Sequence, residues 1–316
     1  MNIVDRLWRG VAVMHSGATP PEAGERIIQF FKSRHVPAYI FPNRFLKEVW
    51  ECYDALIFVE ALGGVVRLLC GLARDKEADP LVLAMDRGLR YFIPVLGAHR
   101  GANELAQALA EAFGGYAVVT TAVEFMGFDP PEELERRHLC VLSREVKLTI
   151  AAALRDGKSV CISGGDTAGL RGYVAGDACD VVVEIGNCPR CCRPLKLYVG
   201  FGATSQSTSA EVAEAVIKTL REVGIPMARI AAVVSIKPMV QEVADLLGVP
   251  GIHLKPWELR TDVLCASPPS AKAMETLGLP GVAENAAITA AGKNAVLVIR
   301  KRAIGGVTVA VAGSLE

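Results

Sequence analysis

A histidine, an arginine and an Asn-Glu pair crowd one short stretch, Gly97-Ala98-His99-Arg100-Gly101-Ala102-Asn103-Glu104. Histidine exchanges a proton near neutral pH, and arginine grips a carboxylate through two parallel donors. Gly97 and Gly101 would let backbone approach a ligand with no Cβ in the way. Such a set suits acid–base work on a substrate that carries carboxylates. The plainer alternative is a turn in which Asn103 or Glu104 only caps the following helix.

The flanking pattern says what holds these residues. An apolar run, Tyr91 to Leu96, precedes the turn, and Leu105, Leu109 and Phe113 then recur at helical spacing until Gly114-Gly115. A second apolar run from Tyr116 to Val119 ends in Thr120-Thr121. The stretch therefore reads as strand, turn, helix, strand. A helix start offers unpaired N–H groups and partial positive charge, which attract anions.

Upstream, strands are expected at Gly10–Met14, Pro37–Phe41, Ala55–Glu60 and Leu81–Met85, alternating with helices, one of them opened by Gly63-Gly64. Asp86-Arg87-Gly88 is a hairpin signal. Alternation of this kind predicts layered α/β/α domains with mixed, mostly parallel sheets. Ligands of open α/β sheets sit beyond the carboxyl ends of the strands. On that topology Gly63-Gly64, the His99 turn and Thr120-Thr121 are expected to share one sheet edge.

The 316 residues suffice for two domains, expected at 1–195 and 196–316. The first contains a motif-rich block over about 55–127 and a less distinctive stretch over 128–195. In the second, Leu197–Val199, Ile230–Val234, Ala295–Ile299 and Val307–Val311 read as strands, with a basic hairpin from Arg300 to Gly306. Thr208–Val223 and Val282–Ala291 read as helices.

Lys plus Arg and Asp plus Glu number 34 each, so nothing in the charge points to nucleic acid. The most apolar stretch, Asp54–Ala73, is broken by Glu60 and Arg67, so no membrane span is expected. No secretory pattern opens the chain, and a cytoplasmic protein is expected. The nine cysteines do not read as a disulfide framework. Cys188, Cys191 and Cys192 cluster, but structural zinc wants a second pair or histidines, and the expectation is a thiol-bearing loop or local redox pair without metal. No G-x-G-x-x-G follows the first strand, which argues against a dinucleotide-dependent oxidoreductase.

Several of these residues form an ordered set. Gly63-Gly64-Val65-Val66-Arg67, Asp75-Lys76-Glu77-Ala78-Asp79-Pro80, the His99 turn and Val118-Val119-Thr120-Thr121 follow one another. Later come Arg193-Pro194, Gly200-Phe201-Gly202, Val282-Ala283-Glu284-Asn285-Ala286-Ala287 and Val307-Thr308-Val309-Ala310. This set resembles the CbiG family, the cobalt-precorrin-5A hydrolases of anaerobic cobalamin synthesis. The resemblance covers about residue 55 to the end, with a weaker middle. It departs from the family pattern in having one glycine after His99 where two are usual. It also has Ala203-Thr204-Ser205-Gln206 in place of a Cys-Arg-x-Gly after Gly202, and only Lys237 and Glu242 as loose matches for a lysine and glutamate.

The resemblance implies opening of a ring-A lactone and release of acetaldehyde, giving cobalt-precorrin-5B. His99, Glu104 and Glu284 are then the expected catalytic residues. Glu104 either orients His99 or caps its helix, and Glu284 is either an acid or a helix N-terminal charge. Substrate contacts are expected from Gly63, Gly64, Arg67, Lys76, Arg100, Gly101, Asn103, Thr120, Thr121, Gly200 and Gly202. Cobalt arrives in the tetrapyrrole substrate, so no cofactor of the protein's own and no protein-bound metal are expected. A homodimer is compatible with the sequence. The missing Cys-Arg-x-Gly keeps open a second reading, a non-catalytic corrinoid carrier of the same fold.

Overall fold

Apolar runs buried along their whole length make the central strands of the first of three successive sheet units. The structure is a computed structural model and describes residues 3–17, 21–74, 79–120, 127–261, 265–270, 273–275 and 278–315. Lys76, Thr121 and the side chain of His99 lie outside the described residues.

The first unit contains β1 (Val11–His15), β2 (Ala38–Pro42), β3 (Ala55–Val59), β4 (Leu81–Met85), β5 (Tyr91–Leu96) and β6 (Tyr116–Ala117). They form one sheet in the order β2-β1-β3-β4-β5-β6. Helices α1 (Glu22–Lys32) and α4 (Ala102–Phe113) cover one face through Ile27, Phe31, Leu105 and Leu109. Helices α2 (Leu46–Val49) and α3 (Leu62–Leu69) cover the other through Leu46, Val65 and Leu69. The first four strands in sheet order are parallel, whereas β5 runs antiparallel to β4, with Val82 opposite Leu96 and Met85 opposite Phe92.

That reversal corrects the expected single edge. Gly63-Gly64 follow the carboxyl end of β3, but the His99 turn follows β5, which ends beside the amino end of β4. Gly97 accordingly packs against Leu81, and Arg100 Nη1 donates to Asp79 O at 2.5 Å. β6 is parallel to β5, so Thr120 lies with the His99 turn. Gly63, Gly64 and Arg67 occupy the opposite edge.

The middle unit, α5 (Pro131–His138), β7 (Cys140–Val141), α6 (Arg144–Arg155), β8 (Val160–Ser163), β9 (Tyr173–Ala175), β10 (Val181–Glu184) and β11 (Arg193–Pro194), has its own core around Leu134, Ile150, Val160 and Val183. The third unit contains β12 (Lys196–Ala203), α7 (Ser209–Glu222), β13 (Ile230–Ser235), α8 (Val240–Leu247), β14 (Gly251–His253), α9 (Ala283–Ala291), β15 (Val296–Ile304) and β16 (Val307–Ser314). Its sheet order is β14-β13-β12-β16-β15, with β12, β13 and β14 parallel and β16 antiparallel to both its neighbours. The chain is thus a layered α/β protein with mixed, mostly parallel sheets.

Two further features differ from expectation. Eight of the nine cysteines are paired, as Cys52–Cys265, Cys140–Cys192, Cys161–Cys179 and Cys188–Cys191, leaving exposed Cys70 free. Sequence separations of 213, 52, 18 and 3 residues give no regular spacing from which to read a framework. Second, Arg300 belongs to β15, not to a surface hairpin, and is fully buried. Its guanidinium donates to the carbonyl oxygens of Arg9 at 2.6 Å, Cys52 at 2.6 Å and Cys265 at 2.8 Å. It also lies 4.0 Å from the Tyr53 ring centroid. Carbonyl dipoles and a ring face stand in for a carboxylate partner, and the clamp joins the first and third units.

Candidate active site

At the carboxyl ends of β12 and β13 the third unit opens into a cavity of about 490 Å³, where ligands of α/β sheets are expected. Gly202, Thr204 and Ser205 form its floor, Lys237 follows β13, and Lys301 and Thr308 reach in from β15 and β16. The roof is the first turn of α9, carrying Glu284 and Asn285. Small residues make this possible. A Cβ on Gly200 would stand 1.9 Å from Ala283 O, so Gly200 lets α9 lie directly on β12. Its role is packing, whereas Gly202 lines the cavity itself.

Glu284 is 4% exposed. Its Oε1 accepts from Ser267 Oγ at 2.8 Å and Lys301 N at 2.9 Å, and its Oε2 accepts from Ser267 N at 2.7 Å. A carboxylate offers about four acceptor positions, so one remains on Oε2. Lys301 Nζ donates to Pro268 O at 3.3 Å. Burial pushes the Lys301 ammonium below the usual lysine range, partly offset by the Glu284 charge. Lys237 has no carboxylate partner among the described residues. The cavity therefore combines two lysines outside any salt bridge among the described residues, hydroxyls, a carboxylate and a helix N-terminus, a set that attracts and orients oxygen-rich anions.

The His99 turn borders a different cleft, of about 390 Å³, between the first unit, α5 and the start of β15. The His99 backbone lies in a 3-10 turn over Ala98–Arg100, flanked by Gly97 and Gly101 at φ of 77° and 112°. Gly101 leaves room for Ile3, whose Cδ1 would stand 2.4 Å from an added Cβ. Asn103 is buried and Glu104 exposed in the first turn of α4. Charges in this cleft are largely matched. Arg9 Nε meets Asp54 at 3.0 Å, Lys147 meets Glu135 at 2.7 Å, and Arg136 pairs with Glu133. Local ion pairs of this kind leave little net attraction for an added polyanion.

The structure thus does not gather the expected catalytic residues. Arg100 of the His99 turn lines the cleft that also contacts Leu297, while Glu284 lines the cavity that contacts Lys301. Leu297 and Lys301 stand four residues apart along β15. Exposed Arg67 folds back toward Gly63 O, Thr120 is exposed, and neither borders the cavity. Asn285 and Lys301 are cavity residues to which the sequence alone gave no role, and Lys237 stood only as a loose family match. The basic run at Arg300–Arg302 was the available signal, and its strand alternation sends Arg300 and Lys301 to opposite sides. Glu184, Cys188 and Cys191 bring possible ligand atoms within 4.8 Å, but the two sulfurs are already bonded to each other.

Fold and cavity define a layered α/β protein with an anion-attracting site at the strand ends of its last sheet. The chain belongs to the CbiG family. The family models for Cobalamin synthesis G N-terminal and Cobalamin synthesis G C-terminus match residues 44–124 and 197–312, together more than half of the sequence. It is 26% identical over 306 residues to the cobalt-precorrin-5A hydrolase of Priestia megaterium, covering 84% of this chain and 80% of that one. It is 39% identical over 79 residues to the cobalt-precorrin-5A hydrolase of Salmonella typhimurium, covering 25% and 22%. A crystal structure of a cobalamin biosynthesis protein G homolog from Sulfolobus solfataricus shares the fold, with a TM-score of 0.81, 28% identity and 99% of each chain covered.

Proposed function

We propose that this protein is a cobalt-precorrin-5A hydrolase of anaerobic cobalamin synthesis and that its chemistry takes place in the C-terminal cavity. The family and its curated relatives carry the activity. The choice of cavity is carried by Lys237 and Lys301, which have no carboxylate salt-bridge partner among the described residues, whereas the basic groups beside the His99 turn are largely paired. The cavity receives one edge of the macrocycle, ring A with its lactone, and the lysines face its acid side chains.

Water adds to the lactone carbonyl and gives its proton to Glu284 through the free acceptor position on Oε2. The ring C–O bond then breaks as Glu284 returns that proton to the departing oxygen, and the new acid ionises, leaving a carboxylate and a hydroxyl on the extruded carbon. Loss of the hydroxyl proton and cleavage of the bond from that carbon to the macrocycle release acetaldehyde, and the electron pair stays with the tetrapyrrole. His99, Arg100, Glu104, Asn103 and Gly101 are assigned to the neighbouring cleft, in support of the substrate periphery. Cobalt enters with the substrate, and the enzyme needs no cofactor of its own. Among the described residues no helix is long and apolar enough to cross a membrane. A cytoplasmic site of action and a homodimer without nucleic-acid partners complete the proposal.

The test is an anaerobic reaction of purified protein with cobalt-precorrin-5A, following acetaldehyde. One acetaldehyde per substrate, with formation of the 5B product, is expected. Tight binding without acetaldehyde would overturn the hydrolase assignment in favour of a corrinoid carrier, the reading favoured by Ala203-Thr204 where the family has Cys-Arg.

A further inference from the structure

We infer that Asn285 is the hydrogen-bond donor to the lactone carbonyl oxygen, holding it as it becomes an oxyanion. The inference rests on the hydrolase reading above and assigns a residue beside Glu284 to the other half of the same step.

Asn285 is the third residue of α9, a nine-residue helix, and is 2% exposed. Its neighbours on the helix are Ala283, Ala286, Ala287 and Ile288, all buried. Its main-chain carbonyl accepts from Thr289 Oγ1 at 2.6 Å, but its side-chain Nδ2 is buried with no hydrogen-bond partner among the described residues. The side chain borders the cavity.

A buried amide without a partner costs folding energy and returns none. An alanine or leucine would suit this helix better, so the physical reason for an amide must lie in what enters the cavity. The two ends of an asparagine amide exchange by a half-turn about one bond, which presents either N–H donors or the oxygen to a ligand. The surroundings favour the donors. The N-terminus of α9 places partial positive charge there, and Lys237 and Lys301 border the same space. Glu284 stands one residue away with its remaining acceptor position.

A neutral donor suits an ester carbonyl. That oxygen carries little charge in the bound lactone and gains a full one as water adds, so the hydrogen bond strengthens where the barrier lies. Glu284 and Asn285 would then act on opposite sides of the carbonyl carbon, one receiving the proton of water and the other the growing negative charge.

Asn285→Ala and Asn285→Asp test this with cobalt-precorrin-5A, reading acetaldehyde release, equilibrium binding from the corrinoid absorbance, and thermal melting. The expected result is a kcat reduced about 10²–10³-fold in both variants, with KM changed only a few-fold. Asn285→Ala should melt at or above the wild-type temperature, since it removes an unpaired buried amide. A lower melting temperature that accounts for the lost activity would make the role structural and overturn the inference. So would a raised KM with kcat intact, which would mark a grip on a peripheral carboxylate, or unchanged kinetics. A wild type that binds substrate and releases no acetaldehyde overturns the hydrolase reading and this inference with it. An active wild type beside an equally active Asn285→Ala overturns the inference alone.

Discussion

The bridge between Cys52 and Cys265 joins the first unit to the segment that supplies Ser267 to the cavity wall. Replacing both cysteines by alanine removes it without leaving a reactive thiol. The bridge closes a loop of 213 residues, and the chain-entropy argument assigns a loop of that length about 5.4 kcal/mol. Unfolding entropy for a chain of this length is about 0.7 kcal/mol per degree, so the melting temperature should fall by about 8 °C. Arg300 still clamps the carbonyls of residues 52 and 265 after the change, so the fold should survive. The cavity wall loses one of its two tethers, and KM for the corrinoid should rise while kcat holds. Scanning calorimetry of wild type and Cys52→Ala/Cys265→Ala, with and without reductant, measures the stability change. Alkylation of the unreduced, denatured wild type followed by mass analysis should label one thiol, Cys70. Melting indistinguishable from wild type, or labelling of several thiols without reductant, would refute the reasoning.

Lys301 gives a pH dependence to binding. Its ammonium is held below the usual lysine range by burial, so the cavity should lose a positive charge earlier on the alkaline side than an exposed lysine would. KM should rise with pH there, and Lys301→Met should flatten that rise; a wild-type KM constant through the alkaline range would count against a substrate-facing lysine. His138 gives a pH dependence to stability. Burial, with the Arg137 charge adding to it, lowers its pKa in the folded protein. The unfolded chain therefore binds the proton more readily, and stability present above about pH 6.5 should be lost as pH falls through the depressed folded value. Thermal melts between neutral and mildly acid pH should show that loss in wild type and a smaller one in His138→Gln.

The layered α/β architecture was legible because helix and strand periods alternate cleanly and the caps are local. Thr208 and Glu211 form a reciprocal capping box at the start of α7, as their spacing indicates. The Asp86-Arg87-Gly88 hairpin signal already implies a reversed β5, but the expectation of one shared edge for the three loops does not carry that reversal through. Taken alone, β5 is as apolar and as well bounded as a parallel strand, and its pairing with β4 sends the His99 turn to the amino edge. Cysteine pairing was hidden, since Cys52 and Cys265 meet through tertiary packing and no periodicity links them. Intracellular disulfides are in addition uncommon outside hyperthermophiles, which weighted the reading toward free thiols. Glu284 stood out because the motif around it is recognisable. Asn285 did not, because an asparagine in the first turn of a helix ordinarily reads as a cap. Its significance depends on burial and on the lack of a partner, both properties of the fold.

His99 is the residue on which sequence and geometry diverge most, and one variant separates them. From the motif alone it is the acid–base group, and His99→Ala should abolish turnover while leaving corrinoid binding intact. The geometry gives a different outcome. The His99 turn follows β5 beside a cleft bounded by Leu297, whereas Glu284, Asn285 and Lys301 surround a cavity farther along β15. The cleft and the cavity have separate linings, Leu297 in one and Lys301 in the other, and buried Arg300 lies on the strand between these two residues. If the lactone occupies the cavity, His99→Ala should keep kcat within a few-fold of wild type and act, if at all, on KM. Measured beside Asn285→Ala, the two variants should then show opposite signatures. Lost turnover with intact binding in His99→Ala, together with a silent Asn285→Ala, would place the scissile lactone at the His99 turn and leave the C-terminal cavity as a holding site for another part of the macrocycle.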